Sequence, residues 1–221
     1  MVDMEAFRDA VAGWAAGAPG GPAGGPAGGP GGRPAGEVAA EVARRLGVRT
    51  AVLVEGPSDL AAVETLAARR GRDLAAEGVC VVSMGGAMNI GRYAGLLGPP
   101  GLGLRLAGLC DENEQGFYRR GLERAGAPDE GFFVCVADLE EELIRALGVA
   151  RVEAIVEAEG DLTAWHTFVR QPAHQGGRPE RQLRRFMGTK SGRKIRYGHL
   201  LVEALGSGQA PAPLRELLTA L

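Results

Sequence analysis

Short apolar runs alternate with amphipathic stretches along most of this chain, and glycine marks many of the junctions. Residues 50–54 (TAVLV), 78–83 (GVCVVS), 104–110 (LRLAGLC) and 131–136 (GFFVCV) are apolar almost throughout instead of alternating with polar positions. Short β-rich runs of that kind predict strands buried on both faces. Between them lie helical patterns at 37–46 (closed by Gly47), 58–70, 89–97 and 113–125. In the second of these, Leu60, Val63, Leu66 and Ala67 fall on one face. Asp138 opens a further helix, with Glu141 three residues on, a start resembling a capping box. The order β-α-β-α-β-α-β predicts an α/β fold. Its sheet is four-stranded, parallel and Rossmann-like, flanked by helices, with an α-helical C-terminal portion.

The N-terminal region reads differently. Residues 1–16 carry Phe7, Val11 and Trp14 at helical spacing, and 17–36 are almost wholly Gly, Pro and Ala. The second stretch has no side chains to build a core and no collagen register, so it predicts a disordered, flexible linker. The predicted organisation is therefore a helix at 1–16, a linker at 17–36, a sheet-bearing core at 37–148 and a helical part at 149–221 that completes the site. The first helix is expected to be a docking peptide or a dispensable tail.

Composition narrows the function classes. The chain has 221 residues, with 25 Lys+Arg against 27 Asp+Glu, and 45% of its residues are hydrophobic. That suits one folded domain with trimmings, or at most two small ones, and excludes a wholly disordered chain. No apolar stretch approaches a membrane span, and no signal-type segment follows the acidic N-terminus, so a cytoplasmic protein is expected. Cys80, Cys110 and Cys135 form no CxxC and read as buried, reduced residues. The near-zero net charge hides a split. Residues 137–161 hold eight acids against two arginines. Residues 178–196 hold Arg178, Arg181, Arg184, Arg185, Lys190, Arg193, Lys194 and Arg196 against Glu180 alone. Such a cationic stretch suits sequence-independent contact with backbone phosphates, and equally a solvated helix face or a partner for the acidic half.

Ligands of parallel sheets gather beyond the carboxyl ends of the strands. The first strand ends in Glu55-Gly56-Pro57-Ser58-Asp59, the third in Asp111-Glu112-Asn113-Glu114 and the fourth in Asp138-Leu139-Glu140. Each acid alone reads most simply as a helix cap. Their convergence on one edge points to a bound cation, and Asp, Glu and Asn oxygens suit Mg²⁺ or Mn²⁺.

A Glu-Gly closing the first strand and an Asp-x-Asn closing the third resemble the TOPRIM fold of topoisomerases, bacterial-type primases and several nucleases. The details are most similar to the TOPRIM domain of the OLD (overcoming lysogenization defect) nucleases. They are Val54-Glu55-Gly56-Pro57-Ser58-Asp59, the loop Ser83-Met84-Gly85-Gly86, the pair Asp138 and Glu140, and Lys194 opening a late helix. The resemblance covers about residues 48–205. It implies a divalent-metal-dependent phosphodiester hydrolase, an OLD-type DNA endonuclease using two ions. Glu55, Asp59, Asp111 and Asn113 would serve one ion, and Asp138 and Glu140 the other. Lys194 would stabilise the transition state, with Glu55 also catalytic. Arg181, Arg184, Arg185, Lys190, Arg193 and Arg196 are the expected nucleic-acid contacts.

Two departures from the family pattern stand out. Asn113 is neutral where the family has Asp, with Glu112 or Glu114 as possible substitutes. No GxxxxGK[ST] occurs, although OLD proteins carry an ATPase domain before TOPRIM, so any ATPase is expected as a separate subunit. Both departures favour the alternative of a non-catalytic module that binds nucleic acid or a partner ATPase. An RNA-processing TOPRIM nuclease is a further reading.

Overall fold

The computed structural model describes residues 4–17, 34–190 and 192–221. Most of the predicted linker lies outside the described residues. The elements, in chain order, are α1 (Glu5–Gly17), α2 (Ala35–Leu46), β1 (Thr50–Val54), α3 (Pro57–Arg69), β2 (Val79–Ser83), α4 (Ile90–Leu97), β3 (Arg105–Asp111), α5 (Gln115–Arg124) and β4 (Phe132–Cys135). The helices α6 (Leu139–Leu147), α7 (Val149–Ala158), α8 (Leu162–Val169), α9 (Pro179–Met187), α10 (Arg193–Ala204) and α11 (Ala212–Ala220) follow.

The four strands are parallel, in the order β2-β1-β3-β4. Successive side chains of a strand point to opposite faces, which explains why these runs are apolar without alternation. Val52, Val54, Val81, Ala107 and Leu109 enter a core with α3, α6, α10 and α11. Ala51, Leu53, Cys80, Val82, Leu106 and Cys110 enter the opposite core, with α1, α2, α4 and α5. The three cysteines are buried free thiols. Burial, with a smaller push from Glu64 and against the pull of Arg8, lifts Cys80 to about 11, and burial aided by Asp111 lifts Cys110 to about 12. Neither is a nucleophile at neutral pH. Among the described residues no helix is long and apolar enough to cross a membrane.

Helix α1 packs onto this domain. Phe7, Val11 and Ala15 form one buried stripe, joined by Met4. Arg8 pairs with Glu64 of α3 and donates through Nε to the Val81 carbonyl of the edge strand β2 at 2.8 Å. The face expected to await a partner is occupied within the chain, so a docking role would require α1 to leave the core.

Candidate metal centre

Because β1 and β3 are neighbours while the chain winds outward from them to β2 and β4, the switch point of the sheet lies between Glu55 and Asp111. The loop after β2 braces this end. Met84 donates its amide to the Val54 carbonyl (2.9 Å), and Gly86 donates to that of Glu55 (3.0 Å).

Beyond Asp111 the chain makes a 3₁₀ turn over Glu112–Glu114 before α5 begins. In a 3₁₀ turn positions i and i+3 eclipse, so Glu114 returns to the side of Asp111. Glu55, Asp111 and Glu114 each bring a carboxylate oxygen to within 4.8 Å of the others. Asn113 and Glu112, between them, face solvent. The acid that joins this group is thus Glu114, and the side chain of Asn113 is outside the buried part of the site. The i, i+3 spacing from Asp111 is the sequence signal that could have singled Glu114 out.

Carboxylates this close repel and resist ionisation. Burial first, then Asp138, Glu55, Asp59 and Glu114, push Asp111 up to about 8. Burial and Glu55 raise Glu114, whose Oε2 is buried with no hydrogen-bond partner. An orphaned carboxylate oxygen beside two further carboxylates fits a hard divalent cation, which takes oxygen ligands.

The other predicted acids form a second group. Asp59 accepts the Gly56 amide through Oδ2 at 2.9 Å, bracing the β1–α3 turn. Burial and Glu140 raise it to about 7, against the opposing pull of that hydrogen bond and of Lys194. Asp138 caps α6 by accepting the Glu141 amide through Oδ1 (2.8 Å), and its other oxygen pairs with Arg184. Ala137, immediately before it, has φ +71°, a strained conformation for a residue with a Cβ. Glu140 is 2% exposed and meets Lys194 Nζ at 3.1 Å, while its Oε2 has no hydrogen-bond partner. Asp138 and Glu140 are therefore each met by a side-chain cation; neither belongs to the Glu55–Asp111–Glu114 group, although Asp138 is near enough to be the largest charge acting on Asp111. Burial opposes the charge on Lys194, but Glu140, Asp59 and Asp138 outweigh it and raise its pKa.

Close helix packing places that lysine. α10 crosses α3 at Gly198, where a Cβ would lie 2.6 Å from the Ser58 carbonyl oxygen. Two turns along α3, Thr65 Oγ1, which donates to Ala61, accepts from His199 Nδ1 at 2.8 Å. Arg69 closes the end of the pair through the Val202 and Leu205 carbonyls. Gly198→Ala is expected to destabilise the fold by about 1–3 kcal/mol, the usual effect of overpacking, because backbone cannot move aside as a side chain can. A thermal melt checks this; an unchanged Tm would mean that α10 does not need this close approach.

The cationic segment divides. Arg193 leaves the predicted nucleic-acid surface: it is 5% exposed, bridges both Asp161 oxygens (3.0 and 3.2 Å), and stacks over Phe186 at 4.1 Å. Arg196 pairs with Glu159 and Asp161, and Arg184 with Asp138. Arg181, Arg185 and Lys190 are exposed, with no carboxylate partner among the described residues. Arg193→Ala should therefore lower stability by about 3 kcal/mol, as for breaking a buried pair, and leave the salt dependence of any nucleic-acid binding unchanged. Arg185→Ala and Lys190→Ala should do the reverse, each reducing the slope of log K against log salt by about 0.9 if it contacts a duplex phosphate. Melts and a salt titration separate the two behaviours.

A cleft of about 560 Å³ between α1 and the end of α3 is lined by none of the clustered acids.

Residues 48–112 match the family model for the TOPRIM domain of proteins like the overcoming lysogenization defect protein. The matched region runs from β1 through β3 and contains Glu55, Asp59 and Asp111. Among solved structures, the chain is similar to the C-terminal region of the Burkholderia pseudomallei OLD protein. The TM-score is 0.60 at 23% identity, covering 78% of this chain and 96% of that one. It is also similar to the C-terminal region of the Xanthomonas campestris pv. campestris OLD protein. There the TM-score is 0.58 at 26% identity, covering 78% and 93%. Among curated proteins no sequence matches it.

Proposed function

We propose, from the match of residues 48–112 to the OLD-like TOPRIM model, that the chain is a divalent-metal-dependent phosphodiester hydrolase, an endonuclease acting on DNA in the cytoplasm. The observation that carries this reading is the Glu55–Asp111–Glu114 cluster at the switch point of the sheet. Bound there, Mg²⁺ or Mn²⁺ supplies neutralisation of the carboxylates and Lewis-acid polarisation of a phosphoryl oxygen. Glu55, Asp111 and Glu114 would hold one ion. Glu140, which keeps one buried oxygen without a hydrogen-bond partner, would help hold a second, and Asp138 would exchange Arg184 for it.

The chain's own residues prepare the remaining chemistry. Glu140 and Asp59 keep Lys194 protonated beside the cluster, where an ammonium stabilises negative charge developing on a phosphate. Asp59 holds the β1–α3 turn and so fixes Glu55, four residues earlier. The exposed Arg181, Arg185 and Lys190 would hold backbone phosphates.

The test is incubation of purified protein with supercoiled plasmid, in Mg²⁺, in Mn²⁺ and in chelator. Nicking that needs the metal supports the hydrolase. Intact plasmid in every condition, with binding retained, would replace it with the non-catalytic nucleic-acid module.

A further inference from the structure

A second feature of the same sheet edge lies outside the acidic cluster and outside the basic 178–196 segment. Helices α4 and α5 approach closely because Gly91 faces Gly121; a Cβ on residue 121 would lie 2.9 Å from the Gly91 nitrogen. With no side chains at the crossing, a groove of about 450 Å³ opens along it. Met88 and Arg92 form one wall, and Phe117, Arg120 and Arg124 form the other. On α5 these three are spaced i, i+3 and i+7, one stripe of the helix, while Tyr118 and Leu122 take the buried face.

The contents of the groove are unusual for a surface. Phe117 is 41% exposed and Met88 73%, so two large apolar side chains stand in water. Three guanidinium groups line it, and among the described residues no carboxylate does. Arg120 lies over the Phe117 ring at 5.2 Å, and Arg92 donates to Asn89 Oδ1 at 3.3 Å. Asn89 in turn donates to the Met84 carbonyl (2.9 Å), which ties this wall to the loop bracing β1. Phe117 is one turn beyond Glu114, so the groove begins beside the carboxylate cluster.

We infer that this groove binds an unpaired segment of the nucleic-acid strand, stacking a base on Phe117 and holding the flanking phosphates with Arg120 and Arg124. A duplex hides its base faces inside the stack, whereas an unpaired base offers one to an exposed aromatic ring. The guanidinium groups of Arg120 and Arg124 supply the charge complementarity for the strand's phosphates. The inference deepens the nuclease reading: the substrate is a DNA with a nick, flap, gap or frayed end. It rests on that reading for its biology but not for its test, which measures binding in chelator.

The experiment measures fluorescence anisotropy of a labelled oligothymidylate of about twelve nucleotides, within the span one such groove accommodates, against a blunt duplex of equal length. Phe117→Ala is expected to weaken single-strand binding about tenfold and duplex binding little, with Phe117→Trp restoring it. Arg120→Ala/Arg124→Ala should reduce the single-strand salt slope by about 1.4. All these positions except Arg92 are exposed, so melts should match wild type. Equal single-strand binding by wild type, Phe117→Ala and the double arginine variant overturns the inference. So does displacement of the strand by polyglutamate with no dependence on Phe117, which would mark a nonspecific cationic surface. Plasmid nicking with unaltered groove variants would sink the groove alone; groove-dependent binding without nicking would sink the nuclease alone.

Discussion

With supercoiled plasmid and Mg²⁺ or Mn²⁺, the Glu55→Gln/Asp111→Asn variant is expected to nick about a thousandfold more slowly than wild type, the rate equivalent of several kcal/mol of charge stabilisation. In chelator the same variant is expected to melt higher than wild type. The second result follows from the site's electrostatics. Asp111 has a pKa near 8 in the fold, above its ordinary value, so between roughly pH 4 and 8 the folded protein binds more protons than the unfolded chain. Stability therefore falls as pH rises through that window, and the contribution present at low pH is gone above about 8. Asp59, raised to about 7, adds to the same trend. Asn at 111 removes its share. The gain should be near zero at pH 4 and grow towards pH 9, to about 1 kcal/mol after discounting for solvent screening of a partly exposed group. That corresponds to about 2–4 °C in Tm for a chain of this size. Adding Mg²⁺ should raise the wild-type Tm at pH 8 and not the variant's, since a ligand stabilises only the fold that binds it. A variant that melts lower in chelator, or wild type whose Tm ignores both pH and metal, would mean the three carboxylates are a structural cluster without a cation.

The strands and their parallel arrangement were legible because a parallel sheet covered on both faces requires uninterrupted apolar runs, and TAVLV at 50–54 coincides with β1. Their acidic ends were legible for the same reason: chemistry follows the strand. Asp138 was readable as a cap, and the structure shows the predicted hydrogen bond from Glu141. What failed was local geometry that spacing does not encode. The family pattern draws attention to Asn113, but a 3₁₀ turn in place of an immediate α-helix sends Asn113 to solvent and returns Glu114 to the cluster. Arg193 looked like a surface cation because its partner Asp161 is 32 residues away in sequence and one layer away in space. Charge counting could not see the α4–α5 groove either. Its arginines are scattered over 92–124 and become a patch only when Gly91 meets Gly121.

Lys194→Met is expected to slow nicking by a further route, about a hundredfold or more, the effect of deleting one preorganised charge at a transition state. It should also lower Tm. Glu140 is almost fully buried, and removing its ammonium partner leaves an unpaired carboxylate beside Asp59. The loss should be about 2 kcal/mol, below that for a fully buried pair because Lys194 itself is half exposed to water. Two explanations of lost activity then compete: Lys194 touches the reacting phosphate, or it only neutralises Glu140 and so holds the site in shape. A double-mutant cycle decides between them, even if Glu140 is itself a ligand. Glu140→Gln/Lys194→Met should recover the Tm lost by Lys194→Met, since neither partner remains charged. If Lys194 acts on the phosphate, the double variant still nicks about a hundredfold more slowly than Glu140→Gln alone. If the two nick equally, Lys194 is a positioning residue, and the charge stabilising the transition state comes from elsewhere. Arg184 would then be the next side chain to test, because an ion entering beside Asp138 would free it to face the same phosphate.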